Sequence, residues 1–247
     1  GVFFAKGGTG EIICQLKMLM ERQGVNIFLN SEIKKILTRD KMVEGIETAE
    51  GKFYKADYLI TNADPIYTNS NLIGRKKISL HNKFVQKTAK HSMGLFVLFF
   101  GTKVKYEDIA HHTIWMGPRY KELLSDIFDR YKLSEDFSIY LHRPTATDPD
   151  FAPSGCDSFY ALVPVPNLKG NINWKEEAPK FTQSIIKALE QTMMPKLSEY
   201  ICESFVMTPD DFLQDYNTPF GSGFSIAPLF RQSAWFRTHN KDDLYQN

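Results

Sequence analysis

Apolar and polar positions along the chain fall into two regimes that meet near residue 65. In the first, Ile12, Ile13, Leu16, Leu19 and Met20 are spaced for the inner face of one helix. It is entered through Lys6-Gly7-Gly8-Thr9-Gly10, and Gly24 is placed to cap its C-terminus. Val25, Ile27 and Leu29 alternate and continue through Ile33, Ile36 and Leu37, predicting strand up to a polar turn at Thr38-Arg39-Asp40-Lys41. Val43, Ile46 and Thr48 predict a second strand and Ala49-Glu50-Gly51 a second hairpin turn. The third strand is expected to pass through Phe53 into the buried run Tyr58-Leu59-Ile60. Asn62, Asp64 and Pro65 end that run with turn chemistry, because proline biases its predecessor away from helix.

After Pro65 the apolar runs lengthen. Residues 66–80 read as loop or short helix, and His81 to Lys90 as helix with Phe84 and Val85 inward. Met93 to Phe100 is the most apolar run in the chain and predicts a central strand buried on both faces. Further strands are predicted at Thr113–Met116, Phe137–Leu141, Ser158–Val165 and Phe205–Met207. Leu123, Leu124, Ile127 and Phe128 have helical spacing, as do Phe181, Ile185, Ile186 and Leu189 in a long amphipathic helix opened by Trp174. Thr208 and Pro209 form a helix start, and 220–237 is Gly-rich and aromatic without a period. The fold class predicted is α+β: a helix and three-stranded meander, then a mixed β-sheet flanked by helices. The expected domain division is 1–65 and 66–247.

Composition narrows the function classes. The 247 residues carry 30 Lys and Arg against 29 Asp and Glu, so no global field favours nucleic acid. Cys14, Cys156 and Cys202 are odd in number and widely spaced, which argues against a disulfide framework or a zinc site and for a cytoplasmic location. No apolar run approaches the ~20 residues of a membrane span, so membrane contact is expected to be peripheral. The opening on Gly1 and a strand-like Val2-Phe3-Phe4 suggests a piece of a longer protein.

Isolated motifs point to little chemistry. Gly7-Gly8-Thr9-Gly10-Glu11 lacks the Gly-Lys-Ser/Thr of a Walker loop and reads as a tight turn into the helix. His111 and His112 are adjacent, so on a strand they point to opposite faces, and no metal site is expected. Asp148, Asp150 and Asp157 read as solvated or capping acids. Ser222, in Gly-Ser-Gly, lacks the nucleophile-elbow pattern.

The order of several strings carries more. Lys6-Gly7-Gly8, Gly24-Val25-Asn26-Ile27, Asn30-Ser31-Glu32-Ile33, Ala56-Asp57 and Asn62-Ala63-Asp64-Pro65 resemble the middle of the bacterial carotenoid desaturases. Thr147-Asp148-Pro149, Ala152-Pro153-Ser154-Gly155-Cys156, Leu162-Val163-Pro164-Val165-Pro166-Asn167-Leu168, Thr208-Pro209-Asp210-Asp211-Phe212 and Gln232-Ser233-Ala234-Trp235-Phe236-Arg237 resemble the phytoene desaturases among them.

This resemblance implies an amine-oxidase-like flavoprotein that uses FAD to dehydrogenate a linear polyene such as phytoene at a membrane surface. Residues 1–65 would then be a partial FAD-binding segment and 66–247 the substrate-binding domain. By the same analogy Glu32 and Ile33 pass the adenine of FAD, and Asn62, Ala63 and Asp64 face the cofactor. Hydrocarbon offers nothing to hydrogen-bond, so an apolar slot is required, and Phe96, Leu98, Phe99 and Phe100 are its expected wall. Alternation sends Phe96, Leu98 and Phe100 to one face and Val97 and Phe99 to the other, and either set is a candidate. No catalytic residue is indicated. The N-terminal Gly-x-Gly-x-x-Gly and the C-terminal Gly-rich segment of the family are absent, so the chain alone is expected to be inactive and to retain no FAD. A dehydrosqualene desaturase, a carotenoid oxygenase or a non-catalytic module for an apolar ligand are the alternatives.

Overall fold

The computed structural model describes residues 3–40, 42–74 and 79–233. Val2, Lys41 of the first turn and the string Ala234-Trp235-Phe236-Arg237 lie outside them. The described chain forms two compact units, one of residues 3–27 and 94–210, the other of 28–93 and 211–233.

The first unit opens with helix α1 (Gly8–Arg22). Phe3 and Phe4, expected in a strand, have no regular structure. The helix ends as predicted. Gly24, at φ 77°, donates to Glu21 O, and Val25 donates to Met20 O, each at 3.0 Å. This crossed pair is the Schellman arrangement, and it needs a left-handed residue at the glycine. The stripe is a correction: Ile12, Ile13, Leu16, Leu19 and Met20 are all exposed. Helical periodicity specifies a face, not its cover, and among the described residues nothing covers this one.

The rest of this unit is a five-stranded sheet of β4 (Gly94–Thr102), β5 (His112–Trp115), β6 (Ile139–His142), β7 (Asp157–Val165) and β8 (Ile201–Met207), in the order β5-β6-β7-β4-β8. The expected α+β layout of a larger sheet flanked by helices is present. Every described pairing in this sheet is antiparallel, without the parallel pair that a mixed sheet would add. Strand β4 is paired on both edges, which explains its unbroken apolar run.

One face of the sheet presents Phe96, Leu98, Phe100, Ile139, Leu141, Phe159, Ala161, Val163 and Val165 to the core. Helix α5 (Trp174–Thr192) covers it with Trp174, Ala178, Phe181, Ile185 and Leu189. The predicted stripe of α5 is therefore inward at Phe181, Ile185 and Leu189. Helix α4 (Tyr120–Phe128) buries Leu123 and Ile127 as predicted, while Leu124 is exposed.

The second unit holds the antiparallel meander β1 (Ile33–Arg39), β2 (Met42–Thr48) and β3 (Phe53–Lys55). Two expectations fail around it. Val25 to Leu29 form no strand, since Val25 is used in closing α1. The Tyr58-Leu59-Ile60 run is neither strand nor buried, with Ile60 96% exposed. The β2–β3 pairing ends with Gly45 opposite Lys55, and among the described residues no strand pairs with Tyr58, Leu59 or Ile60.

The turn chemistry after that run holds. Asp64 caps α2 (Pro65–Tyr67), its Oδ1 accepting from Ile66 N at 2.8 Å and Tyr67 N at 3.1 Å. A π-helical stretch, Thr68–Gly74, follows and packs against β1. Helix α3 (Leu80–Thr88) turns Val85 inward but leaves Phe84 exposed, because its single narrow inner face takes one of two adjacent positions.

Candidate functional site

The side of the large sheet opposite α5 carries an aromatic row. Register pairs His112 with His142, His142 with Tyr160, Tyr160 with Phe99 and Phe99 with Phe205, so one residue from each of the five strands lies in one line. Ring centroids along it are 5.3, 4.6, 5.7 and 4.6 Å apart, the last pair stacked with planes 10° apart. At a strand spacing of about 4.8 Å the row spans about 19 Å. Two residues further along each strand a second row runs Ile114, Tyr140, Leu162, Val97 and Met207. Phe205 and Ile114 are 63% and 69% exposed, Phe99, Tyr140, Tyr160 and His142 half-buried, and Val97 buried. This open aromatic and aliphatic surface can take a flat, apolar, elongated ligand by stacking.

The row divides the four expected slot residues. Phe99 is on the open side. Phe96, Leu98 and Phe100 face α5 in the core, 0%, 0% and 4% exposed. Tyr140, Tyr160 and Phe205 were missed from the sequence. Their alternation with the buried Leu141, Phe159 and Ala161 and the partly buried Val206 was readable, but the register that aligns them across strands was not.

At one end of the row three histidines meet, which corrects the inference from adjacency. His112 begins β5, but His111 lies in a bend before it, so strand alternation does not separate them. His142 arrives through the β5–β6 pairing, and one ring nitrogen from each of the three lies within 4.8 Å of the others. His111 Nε2 and His142 Nε2 are 2.9 Å apart, His112 Nδ1 is 2.7 Å from Tyr140 OH, and His111 Nδ1 contacts Thr147 Oγ1. Burial, with the neighbouring His111 and His112, pushes His142 down to about 4; burial and His112 lower His111. Burial and the hydrogen bond to Tyr140 raise Tyr160, keeping its phenol protonated.

Of the three acids expected to be solvated or capping, Asp150 is exposed and Asp148 caps, whereas Asp157 is buried. Asp157 is 1% exposed and pairs with Arg143 Nε at 3.0 Å; it also accepts from Tyr106 N at 2.8 Å and from Thr145 Oγ1. Arg143 NH1 donates to Ile109 O at 2.9 Å. Asp148 caps the turn at Pro149 and also takes the Gly7 N–H at 2.9 Å, which lowers it below the ordinary carboxylate range. Ser222 is fully buried, which excludes it as an exposed nucleophile.

The expected cofactor contacts all lie in the second unit. Glu32 O accepts from Ala49 N, and Ile33 begins β1, an edge strand among the described residues. Asn62 and Ala63 are exposed. Asp64 is fully engaged, with Oδ1 capping α2 and Oδ2 bonded to Ser225 Oγ.

Among solved structures the fold matches an oxidoreductase from Methanosarcina mazei, with TM-score 0.58 and 16% identity over 82% of this chain and 43% of that one. It also matches a putrescine oxidase, with TM-score 0.54 and 13% identity over 81% and 38%. The chain thus shares its fold with part of each of these two proteins.

Sequence relatives are more particular. The chain is 40% identical over its whole length to the lycopene-forming phytoene desaturase of a Paracoccus species. It is 41% identical to the neurosporene-forming enzyme of Cereibacter sphaeroides and 38% to the lycopene-forming one of Pantoea ananas. The chain spans about half the length of the curated relatives it matches. Along its whole length the chain is similar to one half of these phytoene desaturases. No family model matches it.

Proposed function

We propose that the full-length protein is an FAD-dependent oxidoreductase that dehydrogenates a linear carotenoid precursor such as phytoene, and that this chain supplies one wall of its substrate slot. The open aromatic row is the observation that carries the reading: it suits a long conjugated hydrocarbon with no polar handles. Phytoene is favoured over a shorter dehydrosqualene-type substrate because the phytoene desaturases named above are 38–41% identical, against 28% for the 4,4'-diapophytoene desaturase of a Methylomonas species.

The slot wall is Phe99 with Tyr140, Tyr160 and Phe205, while Phe96, Leu98 and Phe100 support it from the core. Along the chain, residues 1–65 serve the FAD-binding domain and 66–247 the substrate domain, a division by role that the two compact units interleave. The residues present fit a partial cofactor contact: Glu32 and Ile33, at the start of the edge strand β1, would lie beside the adenine, and Asn62 and Ala63 are exposed. Asp64 holds the turn at α2 in place rather than reaching out itself. The Gly7 and Gly8 amides at the start of α1 are taken by Asp148 and Ala5. When bound, FAD supplies the hydride acceptor that no side chain can provide. This chain's part is to hold the polyene flat and exclude water.

Anaerobic incubation of the full-length protein with phytoene in liposomes should bleach the flavin and yield products absorbing at longer wavelength. Unbleached flavin and unchanged phytoene would contradict the reading.

A further inference from the structure

We propose that His111, His112 and His142 form a binding site for a divalent d-block cation of the zinc class, set at the edge of the aromatic face. Imidazole is a good ligand for zinc, copper and nickel, and three histidines with an open fourth position are a recurring zinc arrangement. The His111 and His142 Nε2 atoms, 2.9 Å apart, are near the separation of about 3.4 Å that two nitrogens take on a tetrahedral ion with bonds of about 2.1 Å. The three donor nitrogens span at most 4.8 Å, so a modest inward swing of the exposed His112 ring completes the set.

The surroundings are those of a ligand set. In metal sites the ring nitrogen that does not bind the ion is held by a hydrogen bond, which orients the imidazole. Here Thr147 holds His111 Nδ1, with its Nε2 facing His142 Nε2, and Tyr140 holds His112 Nδ1. The supports are themselves fixed. Arg143 N donates to His111 O at 2.9 Å, and the buried Arg143–Asp157 pair anchors the turn that ends at Thr147.

Without a cation, two facing imidazole nitrogens at 2.9 Å need a shared proton between them, and His142 Nδ1 is buried with no partner to set the tautomer. A cation on Nε2 would place the proton on Nδ1. The ion would tie the start of β5 to the end of β6 and leave one coordination position for water or a ligand at the end of the face. This site stands on geometry alone and does not depend on the desaturase reading.

The test uses untagged full-length protein stripped with a chelator, dialysed against Zn²⁺ and analysed for metal per chain, with cobalt substitution as a spectroscopic check. The expected result is one equivalent of zinc and visible tetrahedral d–d bands with Co²⁺. His142→Ala should lose both, and His112→Gln, altered at an exposed side chain, should bind at least tenfold more weakly while folding normally. No zinc uptake by the unaltered protein, or uptake unchanged in His112→Gln and His142→Ala, overturns the proposal.

Discussion

Arg143 and Asp157, at the end of β6 and the start of β7, show how single charges hold the sheet's rim. Both are buried and every partner is supplied, so removing one leaves the other desolvated and uncompensated. Asp157→Asn should cost about 3–5 kcal/mol by chemical denaturation. A second residue gives a pH signature. Asp126, at 3% exposure, accepts from Ser134 Oγ at 2.8 Å and pairs with Arg130 at 2.9 Å, and these partners lower its carboxyl below the usual value.

A carboxylate depressed in the folded state binds fewer protons there than in the unfolded chain. Its stabilisation is therefore present above the unfolded value near 4 and lost as pH falls through the folded one. Thermal melts should show Asp126→Asn much less stable than the parent at pH 7 and the gap closing in acid. A gap that does not change with pH would contradict this. The Asp157 partnership was not legible from sequence, since that acid read as a loop residue and Arg143 reaches it by tertiary contact, whereas Asp126 and Arg130 are i,i+4 neighbours at the end of a predicted helix. The histidine cluster was hidden for the same reason, because His142 lies 31 residues from His111 and joins it only through strand pairing.

Elements were more legible where one periodicity met one cover. The stripe of α5 and the run of β4 were each legible as buried, and Ile185, with no exposed surface, belongs to the core they share. Ile185→Ala should lower stability by roughly 2–5 kcal/mol, read from denaturant midpoints at an unchanged slope. Gly24 was legible for a different reason: a left-handed closing residue has a strong chemical preference. Gly24→Ala should cost roughly 1–2 kcal/mol, within the same assay. The α1 stripe shows what period does not reveal, since its apolar face is exposed among the described residues. Tyr58-Leu59-Ile60 failed because an apolar run becomes a strand only if a neighbouring strand extends far enough to pair with it.

For the whole molecule, the central claim is that the open side of the large sheet is the wall of a polyene slot. No helix among the described residues is long and apolar enough to cross a membrane, and a substrate dissolved in lipid would have to be drawn from the surface. Full-length protein should therefore co-sediment with liposomes; failure across salt and lipid conditions would contradict peripheral docking. Two neighbouring residues then separate wall from core most directly. Phe99 stacks on Phe205 on the open side, and Phe100 stacks on Phe159 beneath it. The decisive measurement is the product distribution of full-length Phe99→Leu and Phe100→Leu, with thermal stability followed in parallel. The slot wall at Phe99 predicts an altered number of desaturation steps for Phe99→Leu, and for Phe100→Leu the parent's products with stability lowered by about 1 kcal/mol. Unchanged products from Phe99→Leu together with altered products from Phe100→Leu would contradict it.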